Sequence, residues 1–337
     1  MKAVAYYQSL PIDHADALQD VELPAPIPGP RDLLVEVRAI SVNPVDTKIR
    51  RNVLPENGQA KVLGWDVAGV VKAVGSDVTL FQPGDEVFYA GALTRPGGNA
   101  ELHLVDERIV GKRPRSLDFA KSAALPLTAI TAWELLFDRL GIAEGKADQG
   151  QSLLIVGAAG GVGSILVQLA RQLTGLTVIG TASRPETQAW VRELGAHHVI
   201  DHSQPLAAEL KRIGLDSVTH VASLTQTDQH LEQLVEALAP QGKLALIDDP
   251  AGLDVLKLKR KSISLHWEFM YTRSMFETAD MIEQHRLLNR VSELIDAGVL
   301  KTTFGEHFGR IDAANLKRAH ALLESGKAKG KIVLEGF

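Results

Sequence analysis

The 337-residue sequence contains no cysteine. That absence removes every disulfide, every thiolate nucleophile and every zinc or iron–sulfur site that needs a cysteine ligand. An excess of one charge is lacking too, because 36 Lys and Arg stand against 41 Asp and Glu, a formal charge of −5. Such a balance gives no basic footprint for nucleic acid or an anionic membrane, and leaves small neutral or anionic molecules as partners. No basic stretch followed by an apolar block opens the chain, so residues 1–10 do not read as a signal peptide and a cytoplasmic location is expected. The one long apolar run, 153–170, is interrupted by Gly157, Gly160, Gly161 and Gly163. That cluster suits a turn better than a membrane-spanning helix of about 20 residues.

What is present is 45% hydrophobic and 23% charged, enough for one large core or two ordinary ones, and two domains are expected. As far as about residue 125 the chain shows short alternating runs punctuated by Gly and Pro, at 33–40, 67–74, 85–89 and 100–105, which read as antiparallel strands. The stretch 24–30 holds four prolines and reads as an extended connection between strands, with an SH3-type ligand as the alternative. After about residue 126 apolar strands alternate with amphipathic helices: Val162, Ile165, Leu166 and Leu169 share one helical face, and so do Leu231, Leu234, Val235 and Leu238. Strands are expected at 153–156, 177–180, 198–200, 217–222, 243–247 and 262–265. This order predicts a doubly wound parallel sheet. A helical stretch at 276–298, a strand, a helix at 313–325 and a strand at 331–334 follow. This tail no longer alternates and is expected to return to the first domain, giving domains of 1–125 with 274–337, and 126–273.

The run 153–164 sets a buried strand before a glycine turn and a helix, the context a dinucleotide site requires. Backbone N–H groups at a helix N-terminus carry partial positive charge, and glycines let a pyrophosphate approach without a Cβ clash. The spacing is G-x-x-G-G-x-G, not G-x-G-x-x-G, so a ligand-free tight turn is the competing reading. The next strand ends Thr181-Ala182-Ser183-Arg184, with no acid to bind a ribose 2′-hydroxyl. A hydroxyl and a guanidinium suit a 2′-phosphate, which favours NADP over NAD. Ser183 with Glu186 also matches a helix-capping box, which leaves Arg184 as the sharper signal.

Further motifs lie at 41–47 (Ser-Val-Asn-Pro-Val-Asp-Thr), 64–69 (Gly-Trp-Asp-Val-Ala-Gly), 83–87 (Pro-Gly-Asp-Glu-Val), 127–129 (Leu-Thr-Ala) and 330–333 (Gly-Lys-Ile-Val). With the glycine turn, they make the chain resemble the medium-chain dehydrogenase/reductase superfamily over essentially its whole length. The resemblance is to the zinc-independent quinone oxidoreductase, or zeta-crystallin-like, branch and to zinc-type alcohol dehydrogenase-like proteins that lack the zinc ligands. It implies an α/β Rossmann domain, a GroES-like β-barrel substrate domain completed by the C-terminal tail, and a homodimer. Zinc-dependent members have a cysteine where Asn43 stands and Gly-His-Glu where Gly64-Trp65-Asp66 stands, so no zinc is expected.

Oxidising an unactivated alcohol needs an alkoxide that zinc normally stabilises. A quinone, or an alkene conjugated to a carbonyl, accepts hydride to give a delocalised oxyanion that a few hydrogen bonds hold. NADPH-dependent reduction of a quinone or a conjugated enone or enal is therefore expected. A zinc-type alcohol or aldehyde dehydrogenase and a non-catalytic NADPH-binding protein are the alternatives.

By the resemblance, the cofactor contacts are Asn43, Thr128, Gly157, Ala159, Gly160, Gly161, Val162, Gly163, Ser183, Arg184, His202 and Lys331. Catalytic roles fall to Asn43, Asp46, Lys48 and Trp65. Asn43 is either a hydrogen-bond partner of acceptor or nicotinamide, or a cap before Pro44. Asp46 relays a proton, orients Lys48 or is a helix-entry carboxylate. Lys48, where relatives often carry a tyrosine, is either a proton donor or a phosphate contact. Trp65 is either a flat wall for the substrate or plain core. His197 and His198 alternate along a strand, which argues against one metal between them.

Overall fold

The computed structural model describes residues 1–337. In chain order the first eight strands are β1 (Lys2–Tyr6), β2 (Gln19–Glu22), β3 (Asp32–Val42), β4 (Lys61–Val62), β5 (Val67–Val74), β6 (Glu86–Tyr89), β7 (Leu102–Asp106) and β8 (Val110–Lys112). They are followed by β9 (Ser152–Val156), β10 (Thr177–Thr181), β11 (His198–Ile200), β12 (Val218–Ser223), β13 (Leu238–Leu246), β14 (Ser264–Trp267), β15 (Phe304–His307) and β16 (Lys331–Glu335). The helices are α1 (Pro44–Asn52), α2 (Phe119–Ala123), α3 (Pro126–Trp133), α4 (Gly161–Leu173), α5 (Pro185–Glu193), α6 (Leu206–Arg212), α7 (Thr227–Ala237), α8 (Thr272–Met275), α9 (Glu283–Asp296) and α10 (Ala313–Glu324). The chain divides into two compact units, residues 1–130 with 271–337, and residues 131–270.

The first unit is built on β3, whose alternation buries Leu33, Val35 and Val37 on one face while Glu36 and Arg38 point away from it. β3 pairs antiparallel with β5 and β7 and also with β16, so the C-terminal strand is laid against the N-terminal sheet with Ile332 opposite Val42. The sheet order is β15-β16-β3-β5-β6-β8, with β7 joining at β3. A smaller antiparallel sheet has the order β2-β1-β4. Residues 24–30 form neither helix nor strand, as their prolines dictate.

The second unit carries one six-stranded parallel sheet in the order β11-β10-β9-β12-β13-β14. It is the α/β arrangement that the alternating sequence predicts. Leu154, Val156, Ile179, Val221 and Leu244 of the strands pack with Leu206, Leu210, Leu231 and Leu234 of α6 and α7 in one core. Running β9 straight into α4 leaves the turn between them at the C-terminal end of the sheet, where doubly wound folds bind ligands.

Of the long helix expected at 276–298 only α9, Glu283–Asp296, forms, and residues 276–282 make turns after the end of α8. Glu277 sits in the left-handed region at φ 42°, and the Asp280 carboxylate accepts from Thr278 Oγ1 at 2.6 Å and Arg273 Nε at 3.0 Å. These local bonds hold a turn that apolar periodicity does not register.

In the second unit, α3 is followed by a π-helical stretch, Glu134–Arg139. The Glu134 and Glu268 side chains are both fully buried, and Arg139 Nε donates to Glu268 Oε2 at 2.9 Å. Burial first, then the neighbouring Glu134, push the Glu268 carboxyl from its ordinary 4.5 up to about 9. Between those values the folded chain keeps a proton that the unfolded chain releases. The stability from this group is therefore complete at the acid end and falls as pH rises across the window. Replacing Glu268 with Gln removes the titrating proton but keeps an acceptor for Arg139. Urea unfolding across that window should show a shallower loss of stability in the variant, and parallel curves would refute the assignment.

Candidate active site

In the first unit Pro44 opens α1, and Asn43 precedes it in extended conformation with its backbone N–H donating to Asp46 Oδ2 at 2.7 Å. Proline at the first helical position lacks only a donor the helix would leave unused, and an acid three residues after the cap ties the turn. This capping geometry turns Asp46 inward, where it is 1% exposed. Asp66, fully buried just before β5, accepts on Oδ1 from the Leu127 N–H at 2.7 Å. Its Oδ2 accepts from Asn43 Nδ2 at 2.8 Å and pairs with Lys331 Nζ at 2.9 Å. Lys331 Nζ also donates to the Asn43 Oδ1 and, at 3.1 Å, to the Val42 carbonyl.

Two acids in one buried cluster share a single cation. Asp66 accepts on both oxygens, as an ionised carboxylate must. Burial raises its pKa, opposed by Lys331, Asn43 and the Leu127 amide. Asp46 has fewer donors, and its Oδ1 is buried with no hydrogen-bond partner. Burial, opposed by the Asn43 amide and Lys331 and reinforced by Asp66, brings its pKa up to about 7. Asp46 therefore holds and releases a proton near neutrality. The Tyr271 phenol, buried in the same unit, stays protonated because burial and the charges of Asp46 and Asp66 raise its pKa.

The second unit places the glycine turn between β9 and α4. Gly157 is at φ +80°, and its N–H donates to Thr181 Oγ1 at 3.2 Å, which ties the turn to β10. A Cβ on Gly163 would lie 2.5 Å from the Gly157 carbonyl oxygen and 2.6 Å from the Ala158 Cα, so only glycine lets α4 close against the turn that precedes it. A Cβ on Gly160, the residue capping α4, meets nothing closer than 3.4 Å. Fold packing therefore requires glycine at 163 and leaves 160 open to another demand. No side chain caps α4, and Ala159, Gly160, Gly161 and Val162 are half-exposed, so the helix presents amide donors as an anion site does.

At the end of β10 the capping-box reading of Ser183 fails, because Arg184 occupies the cap position and Pro185 begins α5. Ser183 is exposed and spared that duty. Arg184 Nε lies 3.3 Å from Glu186 Oε1, a pair exposed enough for a phosphate to displace. His202 is half-buried, edge-on to His230 with ring centroids 6.3 Å apart.

Several expected roles change. Both Asn43 amide hydrogens are engaged, by Asp66 and, at 3.4 Å, by the Ser41 carbonyl, so Asn43 is a link within the cluster and has no spare donor for an acceptor oxygen. All three Lys331 ammonium hydrogens have acceptors and the residue is 3% exposed, which leaves it no donor for a cofactor phosphate. Trp65 is 1% exposed with its indole N–H on the Ala92 carbonyl at 3.2 Å, the geometry of a core residue. Lys48 lies on the exposed face of α1, and Thr128 Oγ1 donates back to the Leu125 carbonyl at 3.1 Å. Asp66 and Tyr271 are absent from the expected set. For Asp66 a signal existed, a carboxylate leading directly into the apolar strand Val67-Ala68-Gly69, whereas nothing local marks Tyr271.

Residues 29–115 match the alcohol dehydrogenase GroES-like domain, and residues 194–334 match the zinc-binding dehydrogenase family. A zinc-type alcohol dehydrogenase-like protein of Staphylococcus aureus is 39% identical over 338 residues, 99% of each chain. Among solved structures, a Rhizobium etli protein provisionally named a zinc-dependent alcohol dehydrogenase is 59% identical, covering 100% of this chain and 98% of that one, with a TM-score of 0.97. Escherichia coli quinone oxidoreductase, complexed with NADPH, is 26% identical over 99% of this chain and 100% of that one, with a TM-score of 0.85. The chain belongs to the medium-chain dehydrogenase/reductase superfamily. It is an oxidoreductase of that superfamily, with a Rossmann-like parallel-sheet unit and a GroES-like unit.

The family's zinc does not fit the residues present. Zinc takes thiolate, imidazole and carboxylate donors. The cluster offers an amide and two carboxylates, one of them already held by an ammonium, and no group of three His, Cys, Asp or Glu converges on a metal position. The assignment of Asp46 has a direct check. Carboxyl-labelled aspartate should show a resonance titrating near 7 by carbon NMR, lost in Asp46→Asn; its persistence in that variant would refute the assignment.

Proposed function

We propose that the protein is a metal-free reductase that uses NADPH to transfer hydride to a quinone or a conjugated enone or enal. The observation that carries this reading is the closed cluster of Asn43, Asp66 and Lys331, which contains a cation of its own and no donor set for a Lewis acid. A reaction run by such a unit suits an acceptor whose negative charge is already delocalised. NADPH, when bound, supplies the hydride. The amides that open α4 would take its pyrophosphate, with Gly157, Ala159, Gly160, Gly161, Val162 and Gly163 admitting it. Ser183 and Arg184 would bind the 2′-phosphate, and His202 would flank the ribose. Asp46 holds a proton at neutral pH and is the reservoir for protonating the reduced acceptor.

The same reading makes the protein a cytoplasmic homodimer. No helix is long and apolar enough to cross a membrane, and the edge strand β14 ends in the exposed Trp267, with Phe269 exposed just beyond it. Sedimentation should give the mass of two chains, and a single-chain mass would remove the dimer.

A screen of NADPH oxidation against quinones, enones, enals and aldehydes, with and without added zinc, tests the activity. Turnover of quinones or enones independent of zinc is expected. Turnover of aldehydes only with zinc would replace it by the zinc-type dehydrogenase reading, and no NADPH oxidation with any acceptor by that of a binding protein. Replacing Arg184 with Ala should weaken NADPH by roughly 1.5–3 kcal/mol and leave NADH nearly unchanged. Equal losses for both cofactors would refute the 2′-phosphate assignment.

A further inference from the structure

We propose that Lys331 is a built-in cation, which joins three chain segments of the first unit and fixes Asn43 and Asp66 in one arrangement beside Asp46. The ammonium has three hydrogens, and three acceptors meet it: Asp66 Oδ2, Asn43 Oδ1 and the Val42 carbonyl. The acceptors lie on two stretches of chain, the entry to β5 and the junction at which β3 passes through Asn43 into α1. Lys331 itself opens β16, and its backbone N–H donates to the Thr303 carbonyl. Asp66 adds the first turn of α3 through the Leu127 N–H.

The cluster also has no second cation to take over. Lys331 is the charged partner of Asp66, and the amide of Asn43 is spent between Lys331 and Asp66, so another cation could reach Asp66 only by breaking these contacts. A divalent metal would have to displace Lys331 from Asp66 and would gain only oxygen donors. Lys331 uses all its donors within this cluster. It is a positioning residue, whose removal misplaces Asn43 and Asp66 and leaves cofactor contacts intact. The positioning role rests on the proposed reductase activity, whereas the ion pair and the cation do not.

The test combines measurements that depend on activity with others that do not. In wild-type protein with nitrogen-labelled lysine, a buried, fully bonded ammonium should give a resonance whose protons exchange slowly at neutral pH, lost in Lys331→Arg. Metal analysis of the same protein should find no stoichiometric zinc. Lys331→Met should lower the melting temperature by about 10 °C, and Lys331→Met combined with Asp66→Asn should recover a large part of that loss. Where Lys331→Met folds, kcat for the acceptor should fall roughly ten- to a hundredfold with KM for NADPH unchanged. The proposal is overturned by one zinc per chain, by the absence of a slowly exchanging ammonium, or by additive losses in the double variant. A rise in KM for NADPH with kcat unchanged would overturn the positioning role and return Lys331 to the cofactor. If no acceptor is turned over at all, the reductase reading fails while the ammonium resonance and the stability cycle still decide the cation.

Discussion

The first unit depends on the neutralisation of a buried carboxylate. Asp66 has no access to water, and an isolated charge there would carry several kcal/mol of desolvation cost. The structure meets that cost with an ammonium, a side-chain amide and a helix amide, each from a different part of the chain. Order elsewhere follows from this. The C-terminal strand must reach β3 for Lys331 to arrive, and α1 must begin at Pro44 for Asn43 to face inward. α3 must start beside β5 for the Leu127 amide to donate.

The second unit is organised by close backbone approach and not by charge. Gly163 lets α4 close against the Gly157–Ala158 turn, and Gly157 turns the chain in a conformation that side chains rarely adopt. Once these two positions have fixed the turn, the half-exposed amides at the start of α4 are left without a cap. Gly160 is not needed by the packing, and so speaks for a ligand more directly than its neighbours. The two units thus contribute different chemistry, uncapped helix amides in one and a titratable buried acid in the other.

Much of the architecture was legible in the chain. The period-2 runs at 33–40 and 67–74 became β3 and β5, and the apolar runs separated by helical periods became the parallel sheet, because both signals are local and repeat along the sequence. The helix expected from 276 begins only at Glu283, because Glu277 and Asp280 make a turn that hydrophobic spacing does not encode. Site residues were legible by type and less so by role. Asn43, Asp46 and Lys331 were singled out as candidates, yet their hydrogen-bond partners set what each can do, and none of those bonds is visible in spacing.

The sequence by itself determined that no cysteine-based site exists, that a glycine turn links a buried strand to an amphipathic helix, and that the next strand ends without an acid. These are properties of composition and of short segments. Only the tertiary structure decided that Lys331 lies on Asn43, 288 residues away in the chain, that Ser183 is not a cap, and that Asp46 titrates near neutrality. The physical reason is that a pKa and a hydrogen bond depend on water excluded and charges gathered from distant segments, and chain closure alone brings those together.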